Sequence, residues 1–269
     1  MAIALVKPYV IGVSSQKGGV GKTTISVNLA VAIKQMGYKA LLVDSDTTNP
    51  SIGFHFGLEQ VNIGYRDVLY GKVDLNDATI THVPTGIRIL PGTINIKQFN
   101  PSLANIQQFG SAIGKANYDY IIFDTAPGFV EEDLSAYYDE ALIVAVPEMS
   151  ACASSIRLAH QYDKSNVRHN IVVNRIQNKK YEISLKEIED IYEKKAIGTI
   201  PEDEIVPISI SDHIPAYMLR PNSKFSERIA MLAEKYVYGE SVAKRAGKTA
   251  RKHRSFFAFL RWLFRQYIP

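Results

Sequence analysis

The segment between residues 16 and 24 constrains this chain more than any other, because it is a glycine-rich turn between two regular elements. It reads Gln16-Lys17-Gly18-Gly19-Val20-Gly21-Lys22-Thr23-Thr24. The apolar run before it, residues 9–13, predicts a buried strand, and residues 23–35 predict a helix. Glycines let the backbone turn its N–H groups toward an anion, and the helix adds its positive end. The sequence therefore predicts a phosphate cradle.

The rest of the chain alternates between apolar runs and segments with helical spacing. The predicted strands are 9–13, 40–43, 87–90, 120–123, 141–146, 171–173 and 196–200, and the predicted helices include 23–35, 106–115, 154–161 and 185–194. Such alternation predicts an α/β fold with a mainly parallel, doubly wound sheet flanked by helices. At 269 residues the chain fits one large domain and a tail. Ligands of such sheets bind at the carboxyl ends of the strands.

Residues at these strand ends have the chemistry of a nucleotide and Mg²⁺ site. Lys22 is placed to reach the β- and γ-phosphates, and the Thr23 hydroxyl to bind Mg²⁺. Asp124 ends the apolar strand 121–123 in the Walker B form and would hold Mg²⁺ through a water. Asp44 and Asp46 end the second strand and can address the same cleft. Each feature also has a purely structural alternative. The glycine-rich segment could be an ordinary turn, Asp124 the end of a buried strand, and Asp44 and Asp46 caps of a helix near Pro50.

The phosphate cradle is a P-loop, but its sequence departs from the usual P-loop pattern, which has glycine at the position of Gln16. The resulting Lys-Gly-Gly-x-Gly-Lys-Thr motif resembles the deviant Walker A motif of the MinD/ParA ATPases, and the resemblance covers about residues 9–238. It implies ATP/ADP and Mg²⁺ as cofactors, and ATP hydrolysis that is slow without an activator. It also implies a homodimer with ATP sandwiched at the interface, where Lys17 contacts the nucleotide of the partner.

The same resemblance suggests roles for further residues. Asp46 would position the attacking water and Asp44 would support the magnesium shell, although the two roles are interchangeable. Ala126-Pro127-Gly128 resembles a switch loop that responds to loss of the γ-phosphate. Asn174, Arg175 and Pro201 lie where the family has its adenine pocket, and an amide offers both donor and acceptor to a base edge. An ordinary turn at the strand end is the alternative for Asn174.

Charge divides the chain into a body and a tail. Residues 241–269 contain eight Lys or Arg and no Asp or Glu, which leaves 23 basic against 27 acidic residues in 1–240. We therefore predict a P-loop ATPase domain over 1–240 and a basic tail over 241–269. An excess of cations in one segment indicates an anionic partner, either lipid or nucleic acid.

The tail sequence also has the apolar residues of an interfacial helix. On a helical wheel one half carries large apolar groups and the other carries arginines, and the contacts predicted for an anionic membrane are Phe256, Phe257, Phe259, Leu260, Trp262, Leu263 and Phe264. MinD proteins, which the chain resembles most, end in a membrane-targeting helix of this kind. Docking on the body and binding of a protein partner remain alternatives. Nucleic acid is disfavoured, because phosphate contact needs the cations but not the aromatic face.

These features also lead to expectations about the cellular compartment of the protein and the process that it serves. The single cysteine, Cys152, excludes an internal disulfide and favours a reducing cytoplasm. From the residues at the start of the sequence we expect neither a secretory signal nor a membrane span there. We expect a cytoplasmic protein that is peripheral on the inner face of the plasma membrane when ATP-bound, positioning cell division or another assembly. A ParA-like DNA partitioning ATPase and a cargo or maturation ATPase with an unknown activating or client protein are the rival interpretations.

Overall fold

The computed structural model describes residues 7–58, 61–93, 100–128 and 132–239, excluding the side chains of residues 132 and 133. The predicted tail helix, and the boundary after Glu240, lie outside the described residues. Within the described part of the chain, no helix combines the length and the apolar character needed to span a bilayer.

One sheet organises the described residues. Its strands are Tyr9–Ser14 (β1), Ala40–Asp44 (β2), Ile80–His82 (β3), Ile87–Leu90 (β4), Tyr120–Asp124 (β5), Glu140–Ala145 (β6), His169–Ile176 (β7) and Gly198–Pro201 (β8). They form an eight-stranded sheet in the order β3-β4-β2-β5-β1-β6-β7-β8. Every pairing is parallel except β3 with β4. The predicted doubly wound, mainly parallel sheet is therefore confirmed.

The helices cover both faces of this sheet, as its apolar strands require. They are Lys22–Gln35 (α1), Ile52–Phe56 (α2), Tyr65–Leu69 (α3), Leu75–Ala78 (α4), Leu103–Lys115 (α5), Glu132–Ser135 (α6), Met149–Lys164 (α7), Leu185–Tyr192 (α8), Ile205–Ser211 (α9), Ala216–Leu219 (α10) and Lys224–Tyr238 (α11). One face packs on α1 and α11, and the other packs on α5 beside β5 and on α7 and α8 beside β7. All six residues of β1 are buried because it lies between these layers.

Strand β3 and the helices α2, α3, α4, α6, α9, α10 and α11 were not predicted from the sequence. Strand β3 has three residues, with Ile80 and His82 half-buried and Thr81 exposed, so it lacks the apolar run that marks a buried strand. Helix α11 packs against α1 and β8, and its buried positions alternate with charged ones along the chain. The helices α1 and α7 also begin earlier than predicted, at Lys22 and Met149.

Candidate nucleotide site

The P-loop lies at the centre of the carboxyl edge of the sheet. Strand β1 runs between β5 and β6, and the chain leaves β1 toward one half of the sheet and later returns to build the other. The P-loop follows β1, and α1 begins at Lys22 directly after Gly21, whose φ of 89° is left-handed. This is the position where doubly wound sheets bind ligands, next to the free N–H groups of a helix start.

Asp124 is the centre of the polar contacts in this site. Its side chain is 0% exposed and accepts hydrogen bonds from Lys22 Nζ at 3.1 Å, Thr23 Oγ1 at 2.6 Å and Ser26 Oγ at 3.0 Å. A buried carboxylate needs such compensation, because loss of water otherwise disfavours its charge. The two predicted P-loop side chains and the predicted Walker B aspartate are therefore brought together.

The second strand contributes a carboxyl group with unused bonding capacity. Asp44 is 1% exposed, its Oδ2 accepts from Ile52 N at 3.0 Å, and its Oδ1 has no hydrogen-bond partner among the described residues. Burial, and then the charge of Asp124, raise the pKa of Asp44 to about 8. A nearby divalent cation would reverse this effect and favour the ionised form. Asp44 also caps the start of α2 through Ile52 N. The structure is therefore compatible with both the metal-binding and the helix-capping interpretation of this residue.

Asp46 is turned into its own loop. Its Oδ1 accepts from the backbone N–H groups of Thr48 at 3.0 Å and Asn49 at 2.9 Å, which closes an Asx turn. The residue is 5% exposed. Asp46 therefore shapes the loop between β2 and α2, and its predicted role in orienting water remains a prediction.

Lys17 lies away from the buried carboxylates. Its Nζ donates to Ser150 Oγ in the first turn of α7 at 2.7 Å, in an exposed position. Ser15 Oγ donates to the Lys17 carbonyl at 2.9 Å and fixes the start of the loop. The ammonium of Lys17 is thus held at the surface of the protein, whereas that of Lys22 is 8% exposed and directed inward.

Two of the three predicted adenine-pocket residues, Asn174 and Arg175, contact the P-loop itself. Asn174 Nδ2 donates to Val20 O at 2.7 Å, and Arg175 Nη1 donates to Gly19 O at 3.0 Å. Arg175 Nε also forms an ion pair with Glu202 at 2.8 Å, just after Pro201 at the end of β8. The hydrogen bond that Arg175 donates to the Glu202 carboxylate raises the pKa of Arg175. Asn174 and Arg175 are therefore next to the phosphate cradle.

The loop after β5 closes over the beginning of the P-loop. Gly128 N donates to Ser15 O at 2.8 Å, and Gly128 has a left-handed φ of 76°. A Cβ at Gly128 would lie 3.3 Å from Gln16 O, so the close approach favours glycine. Gln16, the residue that departs from the ordinary motif, has a buried Oε1 without a hydrogen-bond partner among the described residues.

Several contacts of the site were missed from the sequence. Ser26 lies four residues after Lys22, one helical turn further along the same face of α1, so this spacing could have indicated it. Ser51 contacts Thr23 Oγ1 at 2.9 Å, and Ser150 holds Lys17. No local pattern marks these two serines, because each comes from a different part of the chain.

Fold and site together define a P-loop nucleotide-binding protein. A profile described as an AAA domain matches residues 8–152. An uncharacterized ATP-binding protein of Methanocaldococcus jannaschii is 31% identical over 261 residues, or 94% of this chain and 96% of that protein. The septum site-determining protein MinD of Thermotoga maritima is 30% identical over 249 residues, or 87% of this chain and 89% of its own length. The chain belongs to the MinD/ParA family of P-loop ATPases, as its sequence resemblance predicted.

Solved structures agree with this assignment. MinD from Pyrococcus horikoshii in complex with Mg-ADP aligns with a TM-score of 0.79 at 27% identity, over 89% of this chain and 99% of that one. A ParA family ATPase from Chlorobium tepidum aligns with a TM-score of 0.73 at 22% identity, over 84% of this chain and 98% of that one. The second likeness concerns the fold alone.

Proposed function

We propose that this chain binds ATP with Mg²⁺, hydrolyses it, and uses the nucleotide state to control where it resides in the cell. The observation that carries the proposal is the convergence of Lys22, Thr23 and Ser26 on buried Asp124 beneath the P-loop. A cation, a hydroxyl and a carboxylate at the foot of a phosphate cradle are the groups that P-loop ATPases use for phosphoryl transfer.

The residues present fit a magnesium nucleotide. Thr23 supplies a neutral oxygen, Asp124 an anionic one, and Asp44 a buried Oδ1 without a partner among the described residues. Mg²⁺ prefers such oxygen ligands, and the related Pyrococcus MinD is described with Mg-ADP. When bound, the metal ion supplies positive charge against the phosphates. Lys22 and the P-loop N–H groups orient the nucleotide, and Asp46 is proposed to orient the attacking water.

The proposed switch is a dimer that closes on ATP. Lys17 is held at the surface by Ser150, so its ammonium is available to a second copy once that hydrogen bond opens. A cation supplied by the partner stabilises charge that develops on the phosphates, which makes hydrolysis depend on dimerisation. Lys17 would thus act as a residue of the opposite site.

The proposed output of the switch is reversible membrane binding through the tail. The sequence of residues 241–269 combines eight Lys or Arg residues with several large apolar side chains. This combination suits the headgroup region of an anionic membrane. A single interfacial segment binds weakly, whereas two segments of one dimer bind with avidity. The role we propose is MinD-like spatial control of an assembly. A MinC:MinD complex of Aquifex aeolicus supports a protein client as a further partner.

Co-sedimentation with vesicles tests this function. The full chain is mixed with phosphatidylglycerol-rich vesicles in Mg-ATP or Mg-ADP and compared with a chain truncated after Glu240. We expect pelleting in ATP, a several-fold decrease in ADP, and loss on truncation. The matched control is a full chain carrying Phe257→Ser and Phe264→Ser, which keeps every cation but removes apolar contacts and should also lose pelleting.

The other outcomes distinguish the rival functions. No pelleting in either nucleotide would exclude the membrane switch. Binding to duplex DNA that weakens steeply with salt would instead favour a partitioning ATPase. If the double serine variant pellets as well as the parent chain, the tail acts through its charge alone, and the interfacial-helix interpretation is wrong.

A further inference from the structure

Two side chains at the end of β7 donate hydrogen bonds to backbone carbonyl groups of the P-loop. Asn174 Nδ2 donates to Val20 O, and Arg175 Nη1 donates to Gly19 O, at 2.7 Å and 3.0 Å. The two acceptors are consecutive carbonyl groups of the loop. We call this pair of contacts the carbonyl strap. It connects the far half of the sheet to the middle of the predicted phosphate cradle.

The planarity of the peptide bond gives the strap a consequence for anion binding. In a trans peptide the carbonyl oxygen and the following N–H point in opposite directions, and no cis peptide occurs among the described residues. Holding Gly19 O and Val20 O outward therefore directs the N–H groups of Val20 and Gly21 inward. Inward N–H groups attract phosphate oxygens, whereas inward carbonyl groups would repel them.

The backbone of β7 is distorted where it makes these contacts. Arg175 has a φ of 59°, a left-handed conformation that is rare for a residue with a Cβ. The pairing of β7 with β8 shifts register between Val173 and Ile176. Glu202 holds the Arg175 guanidinium, with Nε at 2.8 Å and Nη2 at 3.4 Å from its carboxylate oxygens. The distortion and the ion pair together place the guanidinium beside the P-loop.

The P-loop sequence is matched to the strap. A Cβ added at Gly21 would lie only 2.3 Å from Asn174 Nδ2, so glycine at this position leaves room for the amide. Asn174 is 4% exposed, and its Nδ2 is used by Val20 O. The amide donor is thus directed at the loop backbone.

We propose that Arg175, together with Asn174, positions the phosphate cradle by fixing the P-loop carbonyls, a role that is separate from any contact Asn174 makes with the base. The inference rests on the proposed nucleotide function and specifies how one part of that site works. A base-reading role and a positioning role predict different losses when these side chains are changed. The strap should matter for any ligand with a polyphosphate group, whatever its base.

The main test is Arg175→Gly in the full chain, with binding of inorganic tripolyphosphate, ADP and adenosine measured by isothermal titration calorimetry. Glycine accepts a left-handed φ freely, so the fold is relieved of strain while the donor to Gly19 O is lost. We expect thermal stability to hold or rise, and affinity for tripolyphosphate and ADP to fall by a similar factor, on the order of tenfold. Adenosine binding should not change.

A second variant and a control substitution check this interpretation. Arg175→Lys keeps the charge but cannot donate to Gly19 O and both oxygens of Glu202 together, so it should show a loss of the same kind. Lys179→Ala removes an exposed cation from the loop that follows β7 and should leave all three affinities unchanged. Unchanged tripolyphosphate binding in both Arg175 variants, or a loss confined to adenosine, would overturn the proposal. If the parent chain bound neither tripolyphosphate nor ADP, the nucleotide function itself would fail.

Discussion

At the scale of single residues, the site depends on one carboxylate that serves three donors. Asp124 is fully buried and accepts from Lys22, Thr23 and Ser26. These contacts hold the lysine and the threonine in place before any ligand arrives. An uncharged replacement would leave the ammonium of Lys22 buried without its counter-charge.

Asp124→Asn should therefore separate metal-dependent from metal-independent nucleotide binding. We expect ADP affinity in Mg²⁺ to fall by at least about tenfold, because the variant lacks the charge that attracts the cation. In excess EDTA the two proteins should differ little. Calorimetry measures both, with circular dichroism to verify folding. Ser26→Ala removes only one donor and should reproduce less than a third of the loss; an equal loss in both variants would contradict the role of charge.

At the scale of elements, α2 places a histidine in the apolar interior. His55 is 5% exposed, and burial alone lowers its pKa to about 4. Its Nδ1 has no hydrogen-bond partner among the described residues. The folded chain therefore favours neutral His55, whereas the unfolded chain binds a proton near the ordinary value of about 6.5.

The sign of the pH dependence follows from this difference. Because the folded pKa is lowered, stability is lost as pH falls below about 6.5, and the loss between pH 7 and pH 5 is about 2 kcal/mol from His55. His55→Gln should show a shallower decline of the free energy of unfolding over this interval. Urea unfolding at both pH values measures it. His160→Gln, at an exposed site, is the control, and a parallel decline in all three proteins would show that His55 does not titrate as described.

The C-terminal end of α11 is held by a buried acid. Glu140, at the start of β6 and 1% exposed, accepts from Tyr236 OH at 2.9 Å, Tyr9 OH at 3.1 Å and Asn170 Nδ2 at 2.7 Å. It also pairs with Arg168 at 2.8 Å. This network fixes α11 at the edge of the sheet opposite the P-loop, immediately before the tail.

Tyr236→Phe should destabilise the protein by about 2 kcal/mol, because a hydrogen bond to a buried charge is lost without loss of packing volume. Guanidinium unfolding measures the change. Tyr181→Phe is the matched control, since Tyr181 is 74% exposed, and it should change stability by less than about 0.5 kcal/mol. Equal effects of the two substitutions would mean that Glu140 does not depend on the Tyr236 hydroxyl.

At the scale of the whole molecule, we propose that the site is completed by a second copy of the chain. Lys22 and Asp124 belong to the buried interior, whereas Lys17 is bonded at the surface to Ser150. In this proposal, a dimer that exchanges Lys17 would couple hydrolysis to assembly, and therefore to the number of tails available for a membrane.

Turnover per molecule should accordingly rise with protein concentration. Lys17→Ala should remove that rise and lower turnover at high concentration by at least about tenfold, since a cation supplied by the partner stabilises the transition state. Phosphate release across a dilution series measures this. Lys72→Ala removes a cation that is 65% exposed and pairs with Asp67, and it should behave as the parent chain. A concentration-independent rate in the parent chain would argue against a site completed in trans.

The sequence by itself determined the class of fold and the centre of the site. The buried strands of a parallel sheet are long apolar runs, so seven of the strands could be located, and the P-loop pattern identified Gly18 to Thr24 and Asp124 because its chemistry requires those types at a strand end. The family assignment followed from the same residues. Roles given to Asp44 and Asp46 stay predictions, as do the domain boundary and the tail.

Only the tertiary structure decided which groups bind one another across the sheet. The hydrogen bonds from Lys17 to Ser150, from Arg175 to Gly19 and from Tyr236 to Glu140 join residues separated by 133, 156 and 96 positions. The local sequence encodes the hydrophobic periodicity of a helix or strand and its capping residues. It does not encode which side chains from distant parts of the chain pack against that element. The exposed position of Lys17 was decided by its contact with Ser150, and the edge strand β3 by its antiparallel pairing with β4.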